Sequence, residues 1–286
     1  DASRQSEFFN IPTPPARHDS MRAGIIIVGD EVLAGHTMDA NTPFLAGRLR
    51  EMGHEISQVR MLPDDRVSIA SAVREMTGLS GCAREDGPPL PDVVLVCGGI
   101  GPTHDDVTME AVAAALGVEL EESPEMVERI KEFYRRRSYC CEEGEEIRPN
   151  PASMKMALVP HGMKVLKNDM GTAPGLYVRV GGFGPLLIVL PGPPLEVEAI
   201  FEHSIRGAVI GDAEDPPSTA EIQVPQGESR FSHILKEAAE RFGDVKVGSY
   251  PTQGVRLVLV RLSGPTGQVE AAGRWLMERL RVEGMM

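Results

Sequence analysis

Along residues 21–210, short apolar runs alternate with longer stretches in which apolar positions recur at helical spacing. The runs are almost continuous in Val, Ile and Leu, which is typical of parallel strands buried on both faces of a sheet. The pattern predicts strands at 24–28, 56–61, 93–97, 163–166, 176–180 and 186–190, and helices at 43–52, 67–76, 107–116, 124–137 and 193–205. This alternation predicts an α/β fold with a mainly parallel sheet between two layers of helices.

A second, smaller unit follows a linker-like stretch at residues 211–218, which is rich in Asp and Pro. Beyond it, the pattern predicts a strand at 220–224, a helix at 228–241, strands at 245–249 and 255–262, and a last helix at 267–282. We therefore predict three parts: an N-terminal extension at 1–20, a first domain at 21–210 and a small α+β domain at 219–286.

Composition narrows the classes of partner. The chain has 286 residues, of which 42% are hydrophobic and 25% charged, as in a soluble globular protein. Its formal net charge of −13 repels nucleic-acid backbones and anionic membranes. No apolar run approaches the roughly 20 residues that a membrane-spanning helix needs. We expect a small-molecule partner, with neither nucleic acid nor membrane as a partner.

The extension at residues 1–20 is polar and contains Pro12, Pro14 and Pro15, with no apolar core of a secretory signal. We interpret it as a flexible linker; a tag remnant and a trimmed organelle-targeting segment are the alternatives. The four cysteines of the chain lack metal-ligand spacing, which favours a reducing compartment. We therefore predict a cytoplasmic location, with organelle targeting as the alternative.

The segment at residues 93–116 carries the most chemical information. A buried strand runs into a glycine-rich turn, then into a Thr-His-Asp-Asp cluster, and then into a helix. The turn and cluster contain Gly98, Gly99, Gly101, Thr103, His104, Asp105, Asp106 and Thr108. Bare backbone N–H groups, a helix N-terminus and carboxylates at one point are what a phosphate and its accompanying cation require.

Three further polar clusters lie at or near the ends of other predicted strands. They are Gly29, Asp30 and Glu31 with Asp39 and Asn41; Asp64 and Asp65; and Asn168, Gly171, Thr172, Gly175 and Gly192. Open α/β sheets bind ligands at the carboxyl ends of their strands, so these clusters are expected to meet. Carboxylates there suit a hard cation such as Mg²⁺, which keeps water ligands for exchange with phosphate.

Each cluster also has a purely structural explanation. Asp106 is in position to cap the helix that follows it, and Asp64 and Asp65 resemble a turn followed by a helix cap. Gly192 lies among prolines in a rigid turn, and a lone histidine such as His104 is usually a solvated loop residue. The functional interpretation rests on the convergence of acids, hydroxyls and glycines at successive strand ends.

Several other catalytic motifs do not occur in the sequence. There is no Gly-x-x-x-x-Gly-Lys-Ser/Thr loop, and Gly-Asp-Glu stands after the first strand where a dinucleotide-binding Gly-x-Gly-x-x-Gly would lie. A nucleophile elbow and a His-Glu-x-x-His zinc motif are also missing from the sequence. These absences argue against P-loop hydrolysis, hydride transfer, serine hydrolysis and zinc proteolysis.

Taken together, the motifs resemble those of the molybdopterin-binding (MoaB/Mog-like) domain, and more closely the N-terminal part of the CinA family and the related domain of eukaryotic FAD synthases. The matching pieces are IVGDEVLAG (27–35), Asp39-x-Asn41, GGIGPTHDD (98–106), GTAPG (171–175) and LPGPP (190–194). They occur in order over residues 21–205. The small C-terminal unit resembles the KH-like domain of CinA proteins but lacks a Gly-x-x-Gly clamp, so RNA binding is not implied.

The resemblance implies a metal-dependent pyrophosphatase that cleaves a dinucleotide such as ADP-ribose or FAD and releases AMP. Asp106 would be the catalytic acid residue at the metal, with Glu31 as the second catalytic candidate and Asp64 or Asp65 as a further metal ligand. The implied phosphate and nucleotide site comprises Gly29, Asp30, Asn41, Gly98, Gly99, Gly101, Thr103, His104, Gly171, Thr172, Gly175 and Gly192. The implied cofactor is divalent Mg²⁺, Mn²⁺ or Co²⁺, with K⁺ as an additional candidate.

Two other functions stay open on the same residues. The shared glycine loop is compatible with molybdopterin binding and adenylylation in molybdenum cofactor biosynthesis. A non-catalytic nucleotide-binding module would also need the same anion pocket. The resemblance further implies a homo-oligomer, with a dimer favoured over a trimer.

Overall fold

A computed structural model describes residues 20–80, 89–138, 149–214 and 216–286, and the chain divides into two compact units, Asp1–Glu214 and Asp215–Met286. The predicted extension, apart from Ser20, lies outside the described residues, as do Cys82, Cys140 and Cys141. No helix in the described part of the chain is long and apolar enough to cross a membrane.

The first unit alternates strands and helices. In chain order its elements are β1 (Arg22–Val28), α1 (Asp30–Leu33), α2 (Asn41–Glu51), β2 (Glu55–Leu62), α3 (Arg66–Thr77), β3 (Val93–Cys97), α4 (Thr108–Leu116), β4 (Leu120–Glu122), α5 (Pro124–Ser138), α6 (Pro151–Lys155), β5 (Leu158–Pro160), β6 (Lys164–Leu166), β7 (Gly175–Arg179), β8 (Leu186–Leu190) and α7 (Pro194–Ile200). A π-helical turn, Phe201–Ile205, extends α7 where the sequence predicts one continuous helix.

The central sheet has six strands in the order β2-β1-β3-β8-β7-β6. Strands β2, β1, β3 and β8 are parallel, whereas β7 runs antiparallel to both of its neighbours. Strands β4 and β5 form a separate antiparallel pair. Because β7 is antiparallel to the other strands, it begins at the edge of the sheet where they end. The loops after β1, β2, β3, β6 and β8 and the loop before β7 therefore share one edge of the sheet, which we call the carboxyl edge.

Both faces of the sheet are buried, as the continuous apolar runs predict. All five residues of β3 are buried, and they alternate between two cores: Val94 and Val96 pack with α3, α4 and α5, whereas Leu95 and Cys97 pack with α2 and α7. Burial on both faces gives the three-layer arrangement of a mainly parallel α/β fold. The predicted fold class is confirmed.

The second unit has its own core. Its elements are β9 (Ser218–Val224), α8 (Ser232–Arg241), β10 (Lys246–Pro251), β11 (Val258–Gly264) and α9 (Thr266–Val282). The three strands form an antiparallel sheet in the order β10-β11-β9. A short 3-10 turn, Glu228–Arg230, precedes α8 where the sequence predicts an unbroken helix. Alternate residues of β11, namely Val258, Val260 and Leu262, pack against both helices.

Candidate functional site

The loops after β1 and β2 meet through a carboxylate. The backbone N–H of Asp30, which opens α1, donates to Asp64 Oδ2 at 2.9 Å. The preceding N–H, of Gly29, donates to the carbonyl of Leu62 at the end of β2. A Cβ on Gly29 would lie 2.8 Å from the Glu31 carboxylate, which places that acid against the same turn. Four of the predicted residues therefore lie together at the carboxyl edge.

The glycine turn after β3 packs against this group. Gly98 and Gly99 both have positive φ, at 105° and 66°. A Cβ on Gly98 would lie 2.2 Å from the Val28 carbonyl oxygen. A Cβ on Gly99 would lie 2.4 Å from Thr108 Oγ1 and 3.3 Å from Asp64 Oδ1. Only glycine fits at these two positions, which brings the turn into contact with Asp64.

Electrostatics mark Asp64 as the centre of an acidic group. Partial burial raises the pKa of Asp64, and the negative charges of Asp30, Glu31 and Asp105 act in the same direction. The hydrogen bond from the Asp30 N–H opposes them. In contrast, the Thr103 hydroxyl lowers the pKa of Asp105, with smaller help from the charges of His104 and Lys155. Carboxylates that repel one another in this way are stabilised by a bound cation.

The arrangement fits a cation that arrives with its ligand. Within the described ranges, no group of three or more His, Cys, Asp or Glu side chains is placed to hold a metal ion on its own. Mg²⁺ is commonly held by one or two carboxylates together with waters and substrate phosphates. The partly buried carboxylate of Asp64 suits that mode of binding, because the charges of Asp30, Glu31 and Asp105 also act on it.

Asp106 and Asp65 make local bonds. Asp106 Oδ2 accepts from the Thr103 N–H at 2.8 Å and from Thr103 Oγ1 at 2.5 Å, and a Cβ on Gly101 would lie 2.8 Å from the same oxygen. Asp106 therefore closes the turn that carries Asp105. Asp65 caps α3, since Oδ2 accepts from the Ser68 N–H at 2.7 Å. The Ser68 hydroxyl, and after it the Ser68 N–H, lowers the pKa of Asp65. His104, between Thr103 and Asp105, has a fully exposed ring.

Asn41 joins two more loops of the carboxyl edge. Its Nδ2 donates to the Gly192 carbonyl oxygen at 2.9 Å, and a Cβ on Gly192 would lie 3.7 Å from Gly98 Cα. Asp39 Oδ1 accepts from the backbone N–H groups of Asn41 and Thr42 at the start of α2. Asn41 is only 7% exposed and holds the loop after β8 close to the glycine turn.

The predicted residues before β7 form a neighbouring group. Asn168 Nδ2 donates to the Ala173 carbonyl and to Glu196 Oε2, and its Oδ1 accepts from the Gly171 N–H. A Cβ on Gly171 would lie 2.3 Å from the Glu196 carboxyl carbon. Burial raises the pKa of Glu196. This group fixes the shape of the loop that precedes β7.

Of two further predicted residues, Thr172 lies within that loop and Gly175 is the first residue of β7. Thr172 Oγ1 is 3.9 Å from the sulfur of Met156. Gly175 is buried in β7 against Ile200 and Leu166, where an added Cβ would approach both side chains to 3.0 Å. Close packing is therefore sufficient to explain glycine at position 175.

Three residues have contacts or electrostatic effects at the site that the sequence does not predict. Asp105, rather than Asp106, is the acid of the turn whose charge acts on Asp64. Thr108 is fully buried, and its Oγ1 has no hydrogen-bond partner within the described residues. Glu196 pairs with Asn168 across 28 positions. The Asp-Asp pair and the Pro-Pro-Leu-Glu helix start indicate acids there, but spacing does not show which way each side chain points.

The chain matches two models of known protein families. Residues 24–210 match a family model described as "Probable molybdopterin binding domain". This chain belongs to that family. In this molybdopterin-binding-domain protein, residues 216–286 match a second model, described as "FAD synthase, middle domain". The family resemblance that the motifs indicate is confirmed.

Individual relatives support the assignment. A protein of Thermococcus kodakarensis is 36% identical over 269 residues, which cover 92% of this chain and 99% of the relative. A CinA-like protein of Akkermansia muciniphila is 36% identical, and the aligned region covers 83% of this chain but 54% of that longer protein. The protein CinA from Thermoplasma acidophilum, which has a crystal structure, is 32% identical to this chain in sequence. The two structures match with a TM-score of 0.52 over 63% of this chain and 94% of that one.

Proposed function

We propose that this protein hydrolyses the pyrophosphate bond of a dinucleotide such as ADP-ribose or FAD, with a divalent cation, and releases AMP. The observation that carries the proposal is the position of Asp64. Its carboxylate accepts from the Asp30 N–H and lies beside Gly99, while partial burial and then the charges of Asp30, Glu31 and Asp105 raise its pKa. Acids next to an anion-binding glycine turn suit a cation–pyrophosphate pair.

Each residue has a distinct task in this proposal. Gly98 and Gly99 let the backbone approach the phosphates at the N-terminus of α4, where the helix dipole favours anions. Asp64 and Asp105 would hold the cation, which would neutralise charge on the phosphate oxygens and make a nearby water easier to deprotonate. Glu31, whose carboxylate lies against the turn at Gly29, would accept the proton of the attacking water. The water oxygen bonds to phosphorus, the P–O–P bond breaks, and AMP leaves with the second phosphate monoester.

Asp106 has a supporting task in this scheme, although the sequence interpretation made it the leading catalytic acid. Its carboxylate is hydrogen-bonded to the Thr103 N–H and hydroxyl. A carboxylate oxygen that already accepts two hydrogen bonds is less free to contact a cation or an attacking water. We therefore assign Asp106 to the shape of the turn and Asp105 to the cation.

Apolar side chains near the site support a substrate with a ring system. Met38, Met170 and Leu195 are 90%, 58% and 65% exposed. Met38 lies three positions before Asn41, and Met170 and Leu195 are the chain neighbours of Gly171 and Glu196. Exposed apolar groups beside polar ones are typical of ligand sites. The match of the second unit to an FAD synthase domain also favours a dinucleotide over inorganic pyrophosphate.

A second candidate function is binding of molybdopterin and its adenylylation. The description of the matching family model favours it. The glycine turn and the acids would bind a pterin phosphate and a nucleoside triphosphate equally well, because both ligands present phosphate groups with a cation. A third candidate is a nucleotide-binding module without turnover.

One set of incubations separates the three. Purified protein is mixed with FAD or ADP-ribose and Mg²⁺, Mn²⁺ or Co²⁺, with and without K⁺, and products are identified by mass spectrometry. Release of AMP supports hydrolysis, and its absence with every metal rejects it. Adenylylated pterin formed from ATP and molybdopterin supports the second candidate. A nucleotide that binds tightly by calorimetry and stays intact for hours supports the third.

A further inference from the structure

The turn Thr103–Asp106 is a small, exposed projection that carries the acid acting on Asp64. It holds its own shape through Asp106, whose carboxylate accepts from both donors of Thr103. Those bonds lie within the turn and do not fix it relative to the rest of the unit. A contact from outside the turn therefore adds a constraint on the position of Asp105.

Lys155 supplies that contact. Its Nζ donates to the Thr103 carbonyl oxygen at 3.1 Å and to the Asp106 carbonyl oxygen at 2.5 Å. One ammonium group thus binds the first and the last residue of the turn. Glu110, in the first turn of α4, lies 3.7 Å from the same Nζ, which ties the lysine to the helix as well. The Lys155 side chain is only 28% exposed.

Lys155 lies on a short helix, α6, that is itself held by hydrogen bonds. Lys155 is the last residue of α6, whose N-terminus is capped by Asn150 Oδ1 accepting from the Ser153 N–H at 2.8 Å. Ser153 Oγ also lies 2.6 Å from the Tyr134 hydroxyl of α5. The next residue, Met156, is buried in the core beside α4. These contacts give Lys155 a fixed base from which to hold the turn.

We propose that Lys155 is a positioning residue, which clamps the turn Thr103–Asp106 through its two end carbonyls and so holds Asp105 in place on the loop after β3. The proposal rests on the hydrolysis proposed above. Lysine suits the task because its ammonium has three donors and bonds several carbonyl oxygens at once. It does not touch the reacting atoms.

The test compares Lys155→Met with wild type and with a matched control, Lys167→Met. Lys167 is an exposed lysine of the same unit that pairs with Asp169. Displacing a catalytic group by about 1 Å costs up to roughly 100-fold in rate, so we expect kcat/KM for AMP release to fall about 10- to 100-fold in Lys155→Met. The metal concentration for half-maximal rate should rise, whereas Lys167→Met should match wild type. Lys155→Arg, which retains charge and donors, should restore part of the rate.

Amide hydrogen exchange at residues 99–106 and Mn²⁺ binding followed by electron paramagnetic resonance test the clamp without activity. Faster exchange and weaker Mn²⁺ binding in Lys155→Met, with an unchanged unfolding temperature, support the clamp even if wild type releases no AMP and the proposed function fails. If Lys155→Met does not fold, Lys155→Gln takes its place in the same measurements. If the folded variant has the same rate, metal dependence and amide exchange as wild type, the inference is overturned.

Discussion

Asp64 is a carboxylate in surroundings that favour its protonated form. Burial and the neighbouring charges raise its pKa in the folded protein. An acid of this kind stabilises the fold fully at pH values below its unfolded pKa, near 4. That contribution is lost as pH rises through the folded pKa, because the unfolded chain then ionises more easily. At neutral pH the ionised Asp64 therefore makes the fold less stable than a neutral side chain at this position would.

Asp64→Asn should separate stability from function. The amide keeps an acceptor for the Asp30 N–H but carries no charge, so the unfolding temperature at pH 8 should rise by about 1–3 °C after allowance for solvent screening. The gain should vanish at pH 4, and AMP release should be lost at both. Thermal unfolding and product assays measure the two effects, with Asp212→Asn as an exposed control. A drop in stability at pH 8 would contradict the electrostatic account.

Gly99→Ala tests the contact between the glycine turn and α4. The substitution forces a left-handed φ on alanine, which costs about 1–2 kcal/mol, and places a methyl group 2.4 Å from Thr108 Oγ1. Gly117→Ala is the matched control, because Gly117 has a φ of 72° with no atom within 4 Å of an added Cβ. We expect Gly99→Ala to lower the unfolding temperature more than Gly117→Ala and to abolish AMP release. Equal effects of the two substitutions would show that the turn has room to adjust.

At the scale of elements, the hydrophobic pattern predicted the strands of the sheet well. The bounds of β3 and β8 agree with the predicted 93–97 and 186–190, because burial on both faces makes every residue of these strands apolar. The helices α1 and α6 were missed, since four- and five-residue helices are set by their contacts and not by periodicity. The Asn150-Pro151 pair, a cap followed by proline, is the sequence feature that indicates α6.

The sequence predicts which loops form the site, but not the directions of the side chains on those loops. Spacing placed Asp30, Asp64 and Gly99 at one edge of the sheet, and the structure brings them into contact. Spacing could not distinguish Asp105 from Asp106, because adjacent residues in a turn point in different directions. Nor could it show Lys155, which reaches the turn from 49 positions away.

Helix α3 provides a test of the second acid after β2. Asp65→Ala removes the cap on the Ser68 N–H and should lower the unfolding temperature, whereas Asp65→Asn keeps an acceptor and should retain most of the stability. Both variants should release AMP at wild-type rates with unchanged metal dependence. Calorimetric scans and product assays measure these quantities. A rise in the metal requirement would instead make Asp65 a cation ligand.

At the scale of the molecule, the candidate site belongs to one unit. Every predicted site residue lies before Glu214, and each unit has a hydrophobic core of its own. A chain shortened to end at Glu214 should therefore unfold cooperatively and retain AMP release within about threefold of wild type. Circular dichroism and the product assay check both. Loss of turnover in a folded truncated chain would assign the second unit a part in catalysis.

The hydrogen bond from Asn41 to Gly192 has a consequence for synthesis of the chain. Its partners are 151 positions apart, and it unites the first and the last loops of the carboxyl edge. Domains tend to fold as their residues emerge from the ribosome, N-terminal parts first. A nascent chain in which the LPGPP segment has not yet emerged has the acids after β1 and β2 but lacks the loop after β8. Ribosome-bound intermediates should consequently gain affinity for nucleotide abruptly, only after residues 190–194 have emerged from the ribosome.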